Sequence, residues 1–316
     1  MVSLVVTVTV NSDMPRGEVQ ARTSLRNLEG VPRLHRICER FGVPPTYLLT
    51  FPIANRSGNG ALDEILRGGR CEVGASLEPW TTPPFDAHED RLVAISPHRI
   101  RASMVQAKLE HLTDAIEARY GHRPCVHRAA HGGLSGAGLQ ALERLGYTVD
   151  CSVTPFIDAS PEGVDWREAP EAPYFPDRQQ PCQRGSSPVL QVPVSVGWDR
   201  EVPEFLARAA VRYPSAQRAV SSVAGVHWLD PRRSSAADMR RLASLAVERG
   251  LPVLHVWIRS HELWAGESAA CPAAADVDHL FGEVEDFLRY AVDGLRATPR
   301  TLSDFARHYL GETACV

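Results

Sequence analysis

The fold of this chain is indicated most directly by residues 71–84, which read CEVGASLEPWTTPP. An apolar segment ends here in the carboxylate of Glu78 and the large aromatic ring of Trp80. Two residues before that carboxylate, Ser76 carries a neutral hydroxyl, which is a poor ligand for zinc. The Glu78 carboxylate can bind a metal ion or, if it is buried, act as an acid or base near neutral pH. The role of this segment therefore depends on which polar side chains the fold brings beside Glu78.

The composition fits one large domain that does not bind polyanions. The chain has 316 residues, 44% of them hydrophobic, which is enough to bury a substantial core. We therefore expect a single domain over residues 1–316, with its core between about residues 2 and 308. The formal net charge of −4 gives no general attraction to nucleic acid or to membrane lipid, so neither is expected as a partner. The sequence leaves the oligomeric state open.

The amino terminus and the cysteines predict a cytoplasmic protein. Residues 1–10 are apolar but too short to cross a bilayer, and they lack a basic leader and a small-residue cleavage site. The seven cysteines are scattered and contain no CxxC pair, which is typical of reduced thiols in the cytoplasm. In that compartment the substrate would be a soluble small molecule rather than an insoluble cell-wall polymer.

Strand and helix patterns alternate along the chain. Apolar, β-branched runs predict strands at residues 3–10, 46–51, 189–194 and 251–258. Amphipathic patterns predict a helix that ends at Gly146, a second that runs from a cap at Ser235 to Gly250, and a third over residues 277–292. The proline-rich segment 158–187 is expected to be a long loop. This order favours an α/β fold with a mostly parallel sheet, and periodicity alone does not separate a barrel from an open sheet.

Five segments resemble, in the same order, the polysaccharide deacetylase family (carbohydrate esterase family 4). Residues 74–80, Gly-Ala-Ser-Leu-Glu-Pro-Trp, are similar to the family's Gly-Ala-His-Leu-His-Pro-Trp segment. The other four segments occupy residues 41–47, 127–132, 145–155 and 258–263. The resemblance covers roughly residues 2 to 308 and points to the cytosolic, bacterial members of the family. It implies a deformed (β/α)7 barrel with the active site at the carboxyl ends of the strands.

The resemblance also implies that the metal site of this chain is degenerate. Ser76 and Glu78 stand where the family has two metal-binding histidines, and Asn11 stands where it has an aspartate as general base. An amide cannot accept a proton at neutral pH, so Asn11 is not a base. Arg259 replaces a histidine that protonates the leaving group, and arginine stays protonated. Asp13 would keep the family's acidic ligand position, unless Asn11 and Asp13 only form a turn at the strand end.

Other polar residues could supply new chemistry. His261 lies two residues after Arg259, so on a strand both side chains would point into the barrel. The candidate catalytic residues are Asp13, Glu78, His131, His261 and Glu262. The candidate substrate-binding residues are Asn11, Ser76, Trp80, Arg128, Arg259 and Trp264, with the two arginines as anion holders and the tryptophans at the site mouth.

Three functional hypotheses follow. The first is an enzyme that performs acid–base chemistry, without a metal or other cofactor, on a soluble small molecule of anionic or sugar-like character. The second is a metal-dependent deacetylase that hydrolyses a C–N (amide) bond of an N-acetylated sugar or a related compound. It would use zinc, magnesium or manganese, held by Asp13 and Glu78 or completed by His88, His98 or His131. The third is a ligand-binding pseudoenzyme.

Overall fold

The computed structural model describes residues 1–12, 25–56, 60–85, 96–160, 163–202 and 224–311, together with Leu206, Ala209 and Tyr213. Within these residues the strands are β1 (Ser3–Val10), β2 (Thr46–Leu49), β3 (Glu72–Leu77), β4 (Val126–Ala129), β5 (Val149–Asp150), β6 (Asp158–Ala159), β7 (Val164–Asp165), β8 (Leu190–Gln191), β9 (Val196–Trp198), β10 (Val226–Trp228), β11 (Val253–Arg259) and β12 (Thr298–Pro299). The α-helices are Val31–Arg40, Phe51–Asn55, Ala61–Arg67, Ala102–Tyr120, Gly136–Leu145, Ala236–Glu248, Ala274–Arg289 and Leu302–Tyr309.

Seven strands form one parallel sheet in the order β11-β1-β2-β3-β4-β5-β8, and the short β12 also pairs with β1. The sheet curls into a half-barrel flanked by helices, which confirms the predicted deformed (β/α)7 barrel of the deacetylase type. Two backbone hydrogen bonds bridge the region between β8 and β11. The Ser195 N–H donates to the His255 carbonyl at 3.1 Å, and the Trp257 N–H donates to the Leu229 carbonyl at 2.9 Å.

The barrel is closed at the amino ends of its strands and polar at the carboxyl ends. Leu302 and Phe305 of the carboxyl-terminal helix pack into a buried cluster with inward-facing strand residues such as Val5. The Glu72 carboxylate, at the start of β3, accepts hydrogen bonds from the backbone N–H groups of Leu302 and Ser303 at 3.0 and 3.2 Å, which fixes this helix beneath the sheet. The functional side chains are therefore left at the opposite end of the barrel.

Most predicted elements are present, with shorter strands than the apolar runs indicated. The strand expected at 46–51 ends at Leu49, because a helix begins at Phe51, and only Leu190 and Gln191 of residues 189–194 form ladder pairs. Gly146 ends its helix in the left-handed conformation with a φ of 82°, as predicted. The Ser235 hydroxyl accepts from the Asp238 N–H and caps the next helix. No helix of the described residues is long and apolar enough to cross a membrane.

Gly74 lies where the sheet interior leaves no room for a side chain. An added Cβ would lie 2.7 Å from Leu48 Cδ2 and 2.8 Å from the Val126 carbonyl oxygen. We expect Gly74→Ala to lower the free energy of unfolding in urea by about 1–3 kcal/mol, because neighbouring strands must shift. The matched control is Gly282→Ala on an exposed helix position with no atom nearby, which should raise it by roughly 0.5–1 kcal/mol. Equal effects at both positions would contradict this packing.

Candidate active site at the carboxyl ends of the strands

An acid, an amide and an imidazole from three strand ends lie side by side in one array. Glu78 directly follows β3 and is 5% exposed, and Asn11 directly follows β1. The Asn11 side chain lies close enough to the Glu78 carboxyl to oppose the rise in pKa that burial causes there. The Asn11 Oδ1 atom lies 3.2 Å from His261 Nδ1, just beyond β11. An amide oxygen only accepts, so His261 carries its proton on Nδ1, and the Asn11 amide nitrogen faces the carboxylate.

Two further side chains hold the ends of β1 and β11 together. The Ser260 hydroxyl donates to Asn11 Oδ1 at 3.1 Å and accepts from the Asn11 backbone N–H at 3.1 Å. The fully buried Asn27 donates through Nδ2 to the Asn11 carbonyl at 2.6 Å and to Ser260 Oγ at 2.9 Å. These bonds fix the orientation of the Asn11 amide. Sequence reasoning missed Asn27, because it lies in a short 3₁₀ turn far from any matched motif.

The acid and the imidazole have opposite pKa shifts with the same main cause. Burial raises the pKa of Glu78 to about 7, against opposing hydrogen bonds from Thr81 and Asn11. Burial also lowers the pKa of His261 to about 4, helped by the charges of Arg259 and Arg232. At neutral pH the array therefore contains a partly protonated carboxyl group and a neutral imidazole. Such a pair has a carboxyl group that can donate a proton near neutral pH and an imidazole whose unprotonated nitrogen is free to accept one.

Arg259 is held in a buried ionic network. Its Nη1 atom lies 2.9 Å from Asp230 Oδ2 and 3.1 Å from Glu262 Oε1, and both carboxylates are fully buried. Arg232 Nε lies 3.2 Å from the same Glu262 oxygen. Burial alone would lower the pKa of Arg259, but the carboxylates of Glu262 and Asp230 outweigh it and raise that pKa. The guanidinium carbon also stacks 3.5 Å from the centre of the Trp257 ring.

Asp230 reaches this network through the backbone bridge to β11. The hydrogen bond from the Trp257 N–H to the Leu229 carbonyl places residue 230 beside the end of β11. The Arg232 backbone N–H donates to Asp230 Oδ1 at 3.0 Å and fixes the carboxylate. Sequence reasoning missed both Asp230 and Arg232. The available signal was the polar Asp230-Pro231-Arg232 turn directly after the apolar residues of β10.

Arg128 lies deeper in the barrel and also contacts Trp257. Its position on β4 is paired in register with Ser76 on β3, and both residues are buried. The guanidinium carbon is 4.5 Å from the centre of the Trp257 ring. Nε donates to the Cys151 carbonyl at 3.1 Å, and Nη2 lies 3.4 Å from His255 Nε2. The Trp257 indole therefore contacts two guanidinium groups.

The remaining predicted residues lie at the rim or outside the array. The rings of Trp80 and His131 are 5.3 Å apart, and His131 is exposed with a φ of 54°. Trp264 is half-buried, and no side-chain hydrogen bond or ring contact joins it to the array in the described part of the chain. Asp13 and His88 lie outside the described residues. The structure thus brings Glu78, Asn11, His261, Glu262 and Arg259 together, with Arg128 and Ser76 below them.

The described donors do not fit the zinc site that the family resemblance implies. No three His, Cys, Asp or Glu side chains of the described residues are grouped as metal ligands. Ser76 offers only a hydroxyl, and the Asn11 Oδ1 atom already accepts from Ser260 and lies within hydrogen-bond distance of His261. His98 lies in a short turn next to Gly163, away from the array.

Comparison with known proteins identifies the fold. The sequence matches no protein-family model and no curated protein. A protein from Parabacteroides distasonis named as a glycoside hydrolase/deacetylase aligns with a TM-score of 0.63 and 14% identity, over 97% of this chain and 71% of its own. The Puue allantoinase aligns with a TM-score of 0.52 and 12% identity, over 99% and 92%. The 4-alpha-glucanotransferase from Thermococcus litoralis aligns with a TM-score of 0.57 and 11% identity, over 96% and 40%.

The chain therefore has the fold of the polysaccharide deacetylases, and the resemblance seen in the sequence is confirmed at that level. The three aligned proteins are named for different reactions. A shared scaffold does not determine the chemistry at its mouth. The reaction has to be inferred from the side chains of this chain.

The charge state of Glu78 predicts a pH dependence of stability. Its pKa is about 7 in the folded chain and about 4.5 in the reference state, so folding binds a proton between these values. The unfolded state then holds fewer protons, and the free energy of unfolding falls as pH rises through this range. We expect wild type to lose about 3 kcal/mol relative to Glu78→Gln between about pH 4.5 and 8, measured by urea denaturation. Parallel pH profiles of the two proteins would contradict the raised pKa.

Lys108, the only lysine of the chain, clamps the loop that follows Glu78. Its buried ammonium donates to the carbonyls of Pro79, Thr82 and Pro84 at 2.9, 2.6 and 2.7 Å. The Thr82 hydroxyl in turn donates to the Glu78 carbonyl at 2.7 Å. The clamp thus fixes the loop that carries Trp80 and keeps water away from the Glu78 carboxyl.

We expect Lys108→Met to release this loop. Amide hydrogen exchange over residues 79–85 should become at least about tenfold faster, because three hydrogen bonds to a charged donor are lost. The matched control is Gln106→Met on the same helix, whose side chain bonds only the exposed Glu110 and Arg144. If both variants exchange alike in this loop, the lysine does not fix it.

Proposed function

We propose that this protein is an enzyme that performs acid–base chemistry on a soluble small molecule, with Glu78 as general acid and His261 as general base. The observation that carries the proposal is the buried Glu78–Asn11–His261 array at the carboxyl ends of β3, β1 and β11. Its carboxyl group has a pKa of about 7 and its imidazole a pKa of about 4. At neutral pH each group therefore holds a useful fraction of the form that its role requires.

The surrounding residues orient the pair. Asn11 lies between the two groups and cannot itself take a proton, so its donor and acceptor atoms stay the same when the acid and the base change protonation. Glu262 Oε1 lies 3.9 Å from His261 Nε2, where its negative charge would stabilise the imidazolium that forms when this nitrogen accepts a proton. We assign substrate contacts at the rim to Ser76, Trp80, His131 and Trp264. The charge of Arg259 is already neutralised by the carboxylates of Asp230 and Glu262. We therefore assign Arg259 a structural role on this side of the site.

The same proposal needs no cofactor, because both proton-transfer groups belong to the chain. The donor chemistry of Ser76 and Asn11 supports this reading over a zinc centre. The six cysteines of the described residues are free thiols, which supports a reducing, cytoplasmic location and a soluble substrate. Substrates of anionic or sugar-like character fit a mouth that contains arginine and tryptophan side chains.

A second candidate is a metal-dependent deacetylase acting on an amide of an N-acetylated sugar. It is favoured by the fold likeness to a protein named as a glycoside hydrolase/deacetylase. Asp13 would then join Glu78 as a ligand of zinc, magnesium or manganese. Metal analysis of purified protein separates the two: stoichiometric metal that is required for turnover supports the deacetylase.

Turnover should depend on both members of the pair. In a mass-spectrometric screen of small metabolites, we expect Glu78→Gln and His261→Ala each to lower the rate of the substrate found by about 10²–10⁴-fold, the usual share of general acid–base catalysis. Wild-type turnover should persist after exhaustive chelation. The rate should fall as pH rises through about 7, because Glu78 then loses the proton that it donates.

Thr81→Val is the matched control for the pH profile. The Thr81 hydroxyl lies 3.3 Å from Glu78 Oε2 and lowers the pKa of that carboxyl, so its removal should move the falling limb to higher pH without abolishing turnover. Full activity in both Glu78→Gln and His261→Ala would overturn the assignment of roles. Tight binding without any chemical change would indicate a pseudoenzyme instead.

A further inference from the structure

Arg128 is a buried cation that forms no direct ion pair among the described residues. Its side chain is 3% exposed, and no ion pair with a carboxylate of the described chain is formed by its guanidinium. Nε and Nη2 have partners, but Nη1 is buried and has no hydrogen-bond partner. A buried charge left unpaired costs several kcal/mol. Such a group is a reason to look for a ligand.

The neighbours of Arg128 do not fill the place beside Nη1. Burial lowers the pKa of Arg128, and the charge of the fully buried Asp150 opposes this, but the Asp150 oxygens are hydrogen-bonded to His127 and Ser152 and form no ion pair with the guanidinium. His255 Nδ1 lies 3.2 Å from the Val192 carbonyl and 3.0 Å from the Pro193 carbonyl, so it carries the proton, and Nε2 only accepts. Burial and the charge of Arg128 lower the pKa of His255 to about 3, which keeps the ring neutral. Asp230 and Glu262 bind Arg259 instead.

We propose that Arg128 is the floor of a subsite for a small monocarboxylate, one oxygen of which accepts a hydrogen bond from Nη1. This subsite deepens the proposed function by naming the substrate class, and it rests on that function only for the claim that the bound molecule reacts. A monoanion matches the one guanidinium nitrogen that has no hydrogen-bond partner. One free nitrogen offers no fork for a tetrahedral dianion, which binds best to several donors at once.

The sheet register places this subsite below the acid. Arg128 is paired with Ser76, and Glu78 lies two residues further along the same inward face. Two residues of a strand rise about 6.6 Å, so the strand positions of Arg128 and Glu78 differ by about that height, and in the proposal the next carbons of the bound carboxylate extend towards the Glu78 carboxyl. The Nη1 atom is closed off from bulk solvent. We therefore expect only a compact carboxylate head to reach it, and to do so slowly.

The test is anion-dependent stabilisation of the whole protein. Thermal unfolding is followed in increasing sodium acetate or formate, and in sodium sulfate or phosphate, at constant ionic strength set with sodium chloride. Acetate and formate should raise the unfolding temperature of wild type with saturation, as a ligand of the native state does. Arg128→Met should weaken the apparent affinity at least about tenfold, and Arg128→Lys less, because the charge is kept.

Arg119→Met is the matched control. Arg119 is also largely buried, but it is paired with Asp63 at 2.6 Å, so its variant should respond to acetate like wild type. The proposal is overturned if Arg128→Met keeps the wild-type response, if no carboxylate stabilises wild type, or if sulfate or phosphate gives a larger saturating stabilisation than acetate that Arg128→Met loses.

The subsite and the acid–base function can be refuted independently. The acetate response tests the subsite, and the turnover of Glu78→Gln tests the acid–base function. A normal response together with full turnover in Glu78→Gln would refute the acid–base function and leave the subsite standing. An absent response together with lost turnover would refute the subsite alone.

Discussion

Burial of ionisable groups is the constraint on which the mouth of this barrel depends. A charge removed from water is costly unless a partner offsets it. Asp230 and Glu262 meet this constraint by sharing Arg259 Nη1. Glu78 has no cation paired with it in the described ranges, and burial raises its pKa to about 7, so it meets the same constraint by keeping its proton for part of the time. Burial of carboxyl groups thus produces two results side by side: an ionic network around Arg259 and an acid, Glu78, that titrates near neutral pH.

Asn11 lies between Glu78 and His261 and makes them parts of one site. A charged base at this position would repel the Glu78 carboxylate or pair with Arg259, and either would change the protonation of the whole array. The neutral amide instead lies beside the acid, where it opposes the rise in pKa that burial causes, and accepts from the imidazole, while Ser260 and Asn27 fix its orientation. The substitution that removes a base from the family pattern therefore creates a bridge between an acid and a neutral imidazole.

The sequence predicted the scaffold better than the site. Strand β1 and the cap at Ser235 could be predicted, because buried runs and capping side chains are local signals. Glu78 and Arg259 could be singled out, because each departs from a matched family segment. Asp230 could not, since its place depends on a backbone bridge to a strand about thirty residues away. The pairing of Asn11 with Glu78 likewise depends on three strand ends meeting, which no local pattern encodes.

Trp257 shows why the two arginines have different roles despite their symmetry. The indole has two guanidinium carbons near its ring centre, at 3.5 and 4.5 Å, and each cation gains from the ring. Stacking does not cancel a charge, however, so each arginine still needs an anion. Arg259 lies at the strand end, where loops can deliver Asp230 and Glu262. Arg128 lies one layer deeper, where inward side chains come from strands alone, and the nearby carboxylate on β5, Asp150, is hydrogen-bonded to His127 and Ser152 and forms no ion pair with it. A carboxylate that pairs with Arg128 Nη1 would therefore come from outside the described strands, which is the property that a substrate subsite requires.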